Sequence, residues 1–111
     1  MKTNDFVEYI VHDLLAQIDG INARAMFGGH GLYKDGIIFG VIMDGELYFK
    51  TNEKTKIKYE KYGSKPFTYS KGRTKSITMS YWKLPAEIMD DPDELKKWVV
   101  ESCRISRLKK K

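Results

Sequence analysis

A chain of 111 residues, 41% apolar with five Phe, seven Tyr and two Trp, is sized for one domain. It can close a core over roughly two-thirds of its unfolded surface, which excludes a disordered segment. Its longest apolar run is far short of a membrane span, MKTNDFVEYI lacks the layout of a secretion signal, and the lone Cys103 cannot form an internal disulfide; a non-membrane, cytoplasmic protein is the expectation. The net charge of +5 is concentrated in a central segment from Lys54 to Lys75 and a tail from Arg104 to Lys111, both lysine-rich. Such segments can attract a polyanion, although lysine-rich surface also serves solubility.

Along the chain, Phe6, Val7, Ile10, Val11, Leu14, Leu15 and Ile18 recur at three- and four-residue spacing. That spacing predicts an amphipathic helix, with Thr3 or Asn4 as its cap and Gly20 as its end. NARAMF and GLYK then read as strands joined by Gly28, Gly29, His30 and Gly31. Asp35-Gly36 and Asp44-Gly45 supply the positive φ that tight hairpins need, so IIFGVIM and ELYFK continue an antiparallel meander. Ile37 to Met43, apolar on both faces, is its central strand, and Gly40 signals a bulge or the close approach of something bulky, such as a helix.

Glu53 to Tyr62 is a lysine-rich helical candidate anchored by Ile57 and stopped by Gly63. PFTYS and KSITMSYW form a second hairpin through the basic turn Lys71-Gly72-Arg73, and Pro85 ends it. After a short turn over Ala86 to Met89, Asp91, Pro92 and Glu94 have the order of a helix cap, first-turn proline and capping-box acid. Leu95, Trp98, Val99, Ser102 and Ile105 then line one face of a closing helix. The order is helix–strands–helix–two strands–helix, an α+β fold with helices flanking an antiparallel sheet. Residues 1–105 form a single domain and 106–111 a basic tail.

The glycine cluster of MFGGHGLYKDG invites a phosphate-loop reading. A phosphate loop delivers its amides into a following helix, whereas here a turn and an apolar strand follow, and neither GxGxxG nor GxxxxGK[ST] is matched. The glycines therefore serve positive φ or close backbone approach. His12, His30 and Cys103 are too few and too scattered for a metal site. Cys103 reads as a half-buried structural thiol on an amphipathic helix. Asp90, Asp91, Asp93 and Glu94 are explained by a helix N-terminus. No catalytic constellation and no cofactor are expected.

The order Arg24-x-Met26-Phe27-Gly28-Gly29-x-Gly31-x-Tyr33, then Asp35-Gly36 and Leu47-Tyr48-Phe49, resembles the TfoX N-terminal domain family, named for the TfoX/Sxy regulators of natural competence in bacteria. Gly63, Pro66-Phe67-x-Tyr69, Tyr81 with Pro85, and an Asp-rich start to a helix bearing Trp98 extend the resemblance over about residues 5–105. It implies a fold similar to type III secretion chaperones. It also implies a non-enzymatic co-activator working with a protein partner such as the cyclic-AMP receptor protein, and a homodimer paired through sheet or helix surfaces. The regulators have a second, C-terminal domain where this chain has its basic tail.

Three functions compete. A regulatory protein-interaction domain follows from the resemblance and from the lack of catalytic groups. Direct nucleic-acid binding would use the 54–75 segment and the tail, with Lys71, Arg73 and Lys75 as contacts and Tyr59, Tyr62, Phe67 and Tyr69 as stacking candidates. The core or its rim is the simpler place for those aromatics. A ligand site near Gly28 to Tyr33, using Arg24 and His30, ranks last; for Arg24 a salt bridge or carbonyl clamp on the glycine turn is the simpler role.

Overall fold

The computed structural model of the chain describes residues 3–26, 29–71 and 75–109, with the side chains of 3–4, 26, 68–71, 75–79 and 108–109 outside the description. Its centre is one antiparallel sheet of six strands: β1 (Ile21–Met26), β2 (Gly29–Lys34), β3 (Ile37–Met43), β4 (Glu46–Lys50), β5 (Pro66–Lys71) and β6 (Lys75–Lys83). In space they run β1-β2-β3-β4-β6-β5, so β1 and β5 form the two edges. Both Asp-Gly turns have positive φ at each central residue, 51° and 84° at Asp35 and Gly36, and 52° and 73° at Asp44 and Gly45. Those angles match the right-handed twist of the strands they join.

The helices are α1 (Thr3–Tyr9), α2 (Lys56–Lys61), α3 (Ala86–Met89) and α4 (Pro92–Lys109). α1 continues into a π-helical turn over Ile10–Leu14, closed by the Leu15 amide donating to the Ile10 carbonyl at 2.9 Å. The wider turn changes which residues of the expected stripe reach the core. Val7, Ile10, Leu15 and Ile18 are buried, whereas Phe6, Val11 and Leu14 pack only partly against them. A capping role for Thr3 or Asn4 falls on side chains outside the described residues.

α4 lies across β3 and β4 and starts as its sequence dictates. The Asp91 carboxylate accepts from the Glu94 amide at 3.2 Å, with Pro92 at the first helical position. Leu95, Trp98, Val99, Ser102 and Ile105 are all buried. Trp98 forms the seam to α2, its ring centroid 4.7 Å from Tyr59 and 5.7 Å from Tyr62, with the Lys58 ammonium 4.3 Å from the ring centroid. α2 is thus held by Tyr59, fully buried, and the expectation that Ile57 anchors it is corrected: Ile57 is 50% exposed. A six-residue helix offers one inward position, and the larger ring takes it.

β3 is covered on both faces, with residues Phe39, Gly40, Val41 and Ile42 buried in succession. The β2–β3 register jumps from Leu32↔Gly40 to Tyr33↔Ile38, leaving Phe39 as a bulged residue that meets Phe49 edge-on at 5.5 Å. What approaches Gly40 is strand β4 rather than a helix: a methyl group there would lie 2.6 Å from the Tyr48 carbonyl oxygen.

Candidate functional site

The glycine motif does not form a long turn. β1 and β2 pair without interruption from Ile21↔Lys34 to Met26↔Gly29, so Gly29, His30 and Gly31 are strand residues. Phe27 and Gly28 lie outside the described residues, as does the side chain of Met26. The four-residue connection read from the sequence is corrected to this extent, and so is the idea that Gly29 or Gly31 needs positive φ, since neither has it. Gly29 is required small by the neighbouring backbone, whereas Gly31 is only closely covered by side chains. A methyl group on Gly29 would collide with the Ile42 carbonyl oxygen and come within 2.7 Å of Met43 Sδ.

At Gly31 the crowding comes from side chains. A methyl group there would lie 3.1 Å from Tyr33 Cε1 and 3.2 Å from Ile38 Cδ1, so the Tyr33 ring folds back over the bare backbone. Arg24 stands opposite Gly31 in the register, and its guanidinium carbon lies 5.4 Å from the Tyr33 ring centroid. The motif's Arg, third Gly and Tyr are therefore one packing unit on one face of the sheet. Arg24 works by stacking on an aromatic ring, which the salt bridge or carbonyl clamp expected of it did not anticipate.

Strand alternation sends His30 to the opposite face from Arg24 and Tyr33. It lines a cleft of about 540 Å³ with Val7, Val11, Ala23 and Ala25 under α1, and its Nδ1 is buried without a hydrogen-bond partner. Arg24 and His30 thus cannot line one pocket. His12, on the π-turn, pairs with Glu8 at 3.1 Å on the surface. Cys103 is buried rather than half-buried, and burial pushes its thiol up to about 11. Among the described residues no three of His, Cys, Asp and Glu converge on a point where a metal could sit, and no helix is long and apolar enough to cross a membrane.

The face carrying Arg24 and Tyr33 is rich in rings and cations. Tyr48 meets Phe67 edge-on at 5.2 Å, and burial, with the Glu46 carboxylate beside it, raises the Tyr48 phenol. Lys50 donates to Ser80 Oγ at 2.8 Å and holds its ammonium 5.0 Å from the Tyr81 ring centroid. Tyr81 is raised by burial and by nearby Tyr33. Lys83 pairs with Glu46 at 3.0 Å. Sequence reasoning missed Lys50 and Tyr81 as neighbours of Tyr33, because the β4–β6 crossover that joins them spans a helix and a hairpin.

The basic turn of the second hairpin is bracketed by the pair Lys71↔Lys75, whose backbones are opposed in the β5–β6 ladder. Their side chains, and Arg73 altogether, lie outside the described residues.

The sequence profile of the TfoX N-terminal domain matches residues 13–105. The chain belongs to the TfoX N-terminal domain family. It is similar to the DNA transformation protein TfoX1 of Aliivibrio fischeri (strain ATCC 700601 / ES114), with 28% identity over 98 residues, covering 88% of this chain and 46% of that one. It is also similar to Protein Sxy of Escherichia coli (strain K12), with 32% identity over 77 residues, covering 68% of this chain and 36% of that one. The chain therefore spans less than half the length of either relative. Within the TfoX N-terminal domain match fall the Arg24–Gly31–Tyr33 unit, both Asp-Gly turns and the Tyr59–Trp98 seam.

Proposed function

We propose that this domain is a non-enzymatic regulatory module that acts in the cytoplasm by binding a protein partner, in the manner of a competence co-activator. The partner would be a transcription factor such as the cyclic-AMP receptor protein. The observation that carries this reading is the family match over residues 13–105, together with the use to which the motif residues are put. Gly29 and Gly31 accommodate backbone and ring contacts, and Arg24 stacks on Tyr33, so the motif maintains the shape and surface of a sheet. A maintained surface suits recognition. Edge strand β1 and the face bearing Arg24, Tyr33 and Lys50 are where a partner or a second copy would pair, as the analogy with type III secretion chaperones suggests.

The test is titration of the purified domain against purified cyclic-AMP receptor protein on promoter DNA, followed by calorimetry and mobility shift. A ternary complex weakened by Arg24→Ala is expected. No change in heat or mobility at micromolar concentrations of both proteins would refute that partner.

A second reading, direct nucleic-acid binding, is favoured by the backbone pairing that brings Lys71 and Lys75 opposite each other at the end of a hairpin. Here a mobility shift should appear at low salt and fade steeply with added salt as counterions compete. Lys71→Gln with Lys75→Gln should reduce the salt slope by about two. No shift at low salt would eliminate it.

A further inference from the structure

The sheet is not continuous from end to end. β3 and β4 pair only from Gly40↔Phe49 to Met43↔Glu46. Beyond that point β3 stays with β2 as far as Lys34↔Ile37, while β4 stays with β6 as far as Lys50↔Tyr81. The two halves diverge past the Phe39 bulge and leave a wedge between them. The next ladder bond would have used the Lys50 carbonyl. Instead, Ser102 of α4 donates its hydroxyl to that carbonyl at 2.9 Å. α4 therefore crosses beneath the wedge, and Ser106, one turn further on, contributes to its lining.

The wedge is a cleft of about 300 Å³ lined by Tyr33, Ile37, Ile38, Lys50, Tyr81 and Ser106. Its chemistry is one-sided. Lys50 brings an ammonium, positioned by Ser80 Oγ and the Tyr81 ring. Tyr33 and Tyr81 bring phenols, and Ile37 and Ile38 an apolar wall. Ser106 is 9% exposed, and its Oγ is shielded from solvent with no hydrogen-bond partner, an unused donor in a place where such groups normally find one. No carboxylate lines the cleft among the described residues.

We propose that this wedge is a binding site for a carboxylate attached to a compact apolar or aromatic body. The carboxylate sits against the Lys50 ammonium and accepts a hydrogen bond from the Ser106 hydroxyl, and the body lies between Ile38 and the two tyrosine rings. An ion pair at a partly buried ammonium and a hydrogen bond from an otherwise idle hydroxyl both favour the anion. The stacked Arg24–Tyr33 pair fixes one wall, which gives the family's Arg and Tyr a role at a site as well as in packing. The same chemistry is offered by a free small carboxylate and by the C-terminal carboxylate of a peptide ending in an aromatic residue.

The experiment is amide and methyl NMR titration of the whole chain at constant ionic strength with three probes: benzoate, a tripeptide ending in phenylalanine, and that tripeptide with an amidated terminus. Saturable shifts centred on Tyr33, Ile38, Lys50, Tyr81 and Ser106 are expected, with affinity on the order of millimolar. Stronger binding of benzoate assigns a free carboxylate, and stronger binding of the acid tripeptide assigns a chain terminus. Lys50→Gln should weaken binding roughly tenfold and Ser106→Ala roughly threefold to fivefold, with Lys50→Arg retaining most of it. Circular dichroism of each variant separates a lost contact from a lost fold, and Ser106→Ala keeps the test open if Lys50→Gln unfolds. Absence of saturable shifts from both carboxylates would overturn the proposal. So would an amide that binds as well as its acid, or affinity indifferent to Lys50→Gln and Ser106→Ala in folded variants.

Discussion

Replacing Gly29 with alanine puts a methyl group against the carbonyl oxygen of Ile42 and 2.7 Å from Met43 Sδ, inside the β2–β3 ladder. The thioether can swing aside, but the carbonyl is fixed by the strand that carries it. Overpacking of this kind costs about 1–3 kcal/mol, and a backbone obstacle selects the upper end, about 3 kcal/mol. The restriction alanine places on the unfolded chain recovers roughly 0.4–1 kcal/mol, and with an unfolding entropy of about 0.23 kcal/mol/K for a chain of 111 residues the melting temperature should fall by about 9–11 °C. Gly31→Ala is the internal control. Its methyl group would meet only the ends of Tyr33 and Ile38, at 3.1 and 3.2 Å. The same recovery from the unfolded chain applies, so the loss should stay below about 4 °C. Thermal unfolding followed by circular dichroism compares the two directly. If Gly29→Ala melts within about 3 °C of the parent, or Gly31→Ala falls further than Gly29→Ala, the close-approach account of the motif is wrong.

Three further outcomes follow from the helical side of the domain. Trp98→Ala removes the ring between α2 and α4 and should cost about 3–5 kcal/mol, read as a lowered urea midpoint with an unchanged slope. Asp91→Ala removes the acceptor for the Glu94 amide and should cost about 1 kcal/mol, whereas Asp91→Ser should recover most of it in the same assay. Cys103 holds its proton more tightly when folded, ionising near 11 against 9.0 for an exposed thiol, because burial penalises the thiolate. Its contribution to stability is therefore complete below pH 9 and is lost as pH rises toward 11. Urea midpoints measured across that range should fall more steeply for the parent than for Cys103→Ala, and parallel curves would contradict the assignment.

Much of the architecture was legible because local chemistry and tertiary demand agree. Asp-Gly can adopt the paired positive φ of a two-residue hairpin, so both turns were placed to the residue. Asp91, Pro92 and Glu94 likewise specify a helix start without reference to the rest of the chain. The departures arise where a distant neighbour decides. Gly29 and Gly31 look like turn residues in isolation, yet Gly29 is small because the Ile42 carbonyl needs the space, and Gly31 is closely covered by the Tyr33 ring. The π-turn is invisible to a periodicity of 3.6, which treats Val11 and Leu14 as equals of Ile10 and Leu15. Tyr59 displaces Ile57 as the anchor of α2 because Trp98, nearly forty residues on, supplies a ring to pack against. The wedge at Lys50 was beyond reach for the same reason. It depends on where two ladders part, which no single strand encodes.

The Tyr59–Trp98 seam also hands the experimenter an optical instrument. The chain has two indoles, Trp82 in β6 and Trp98 in α4, on a strand and a helix of one shared core. Emission from Trp98 follows the docking of the two helices, while Trp82 follows the strands, so replacing one with phenylalanine at a time turns fluorescence into a readout of whether strands and helices let go together.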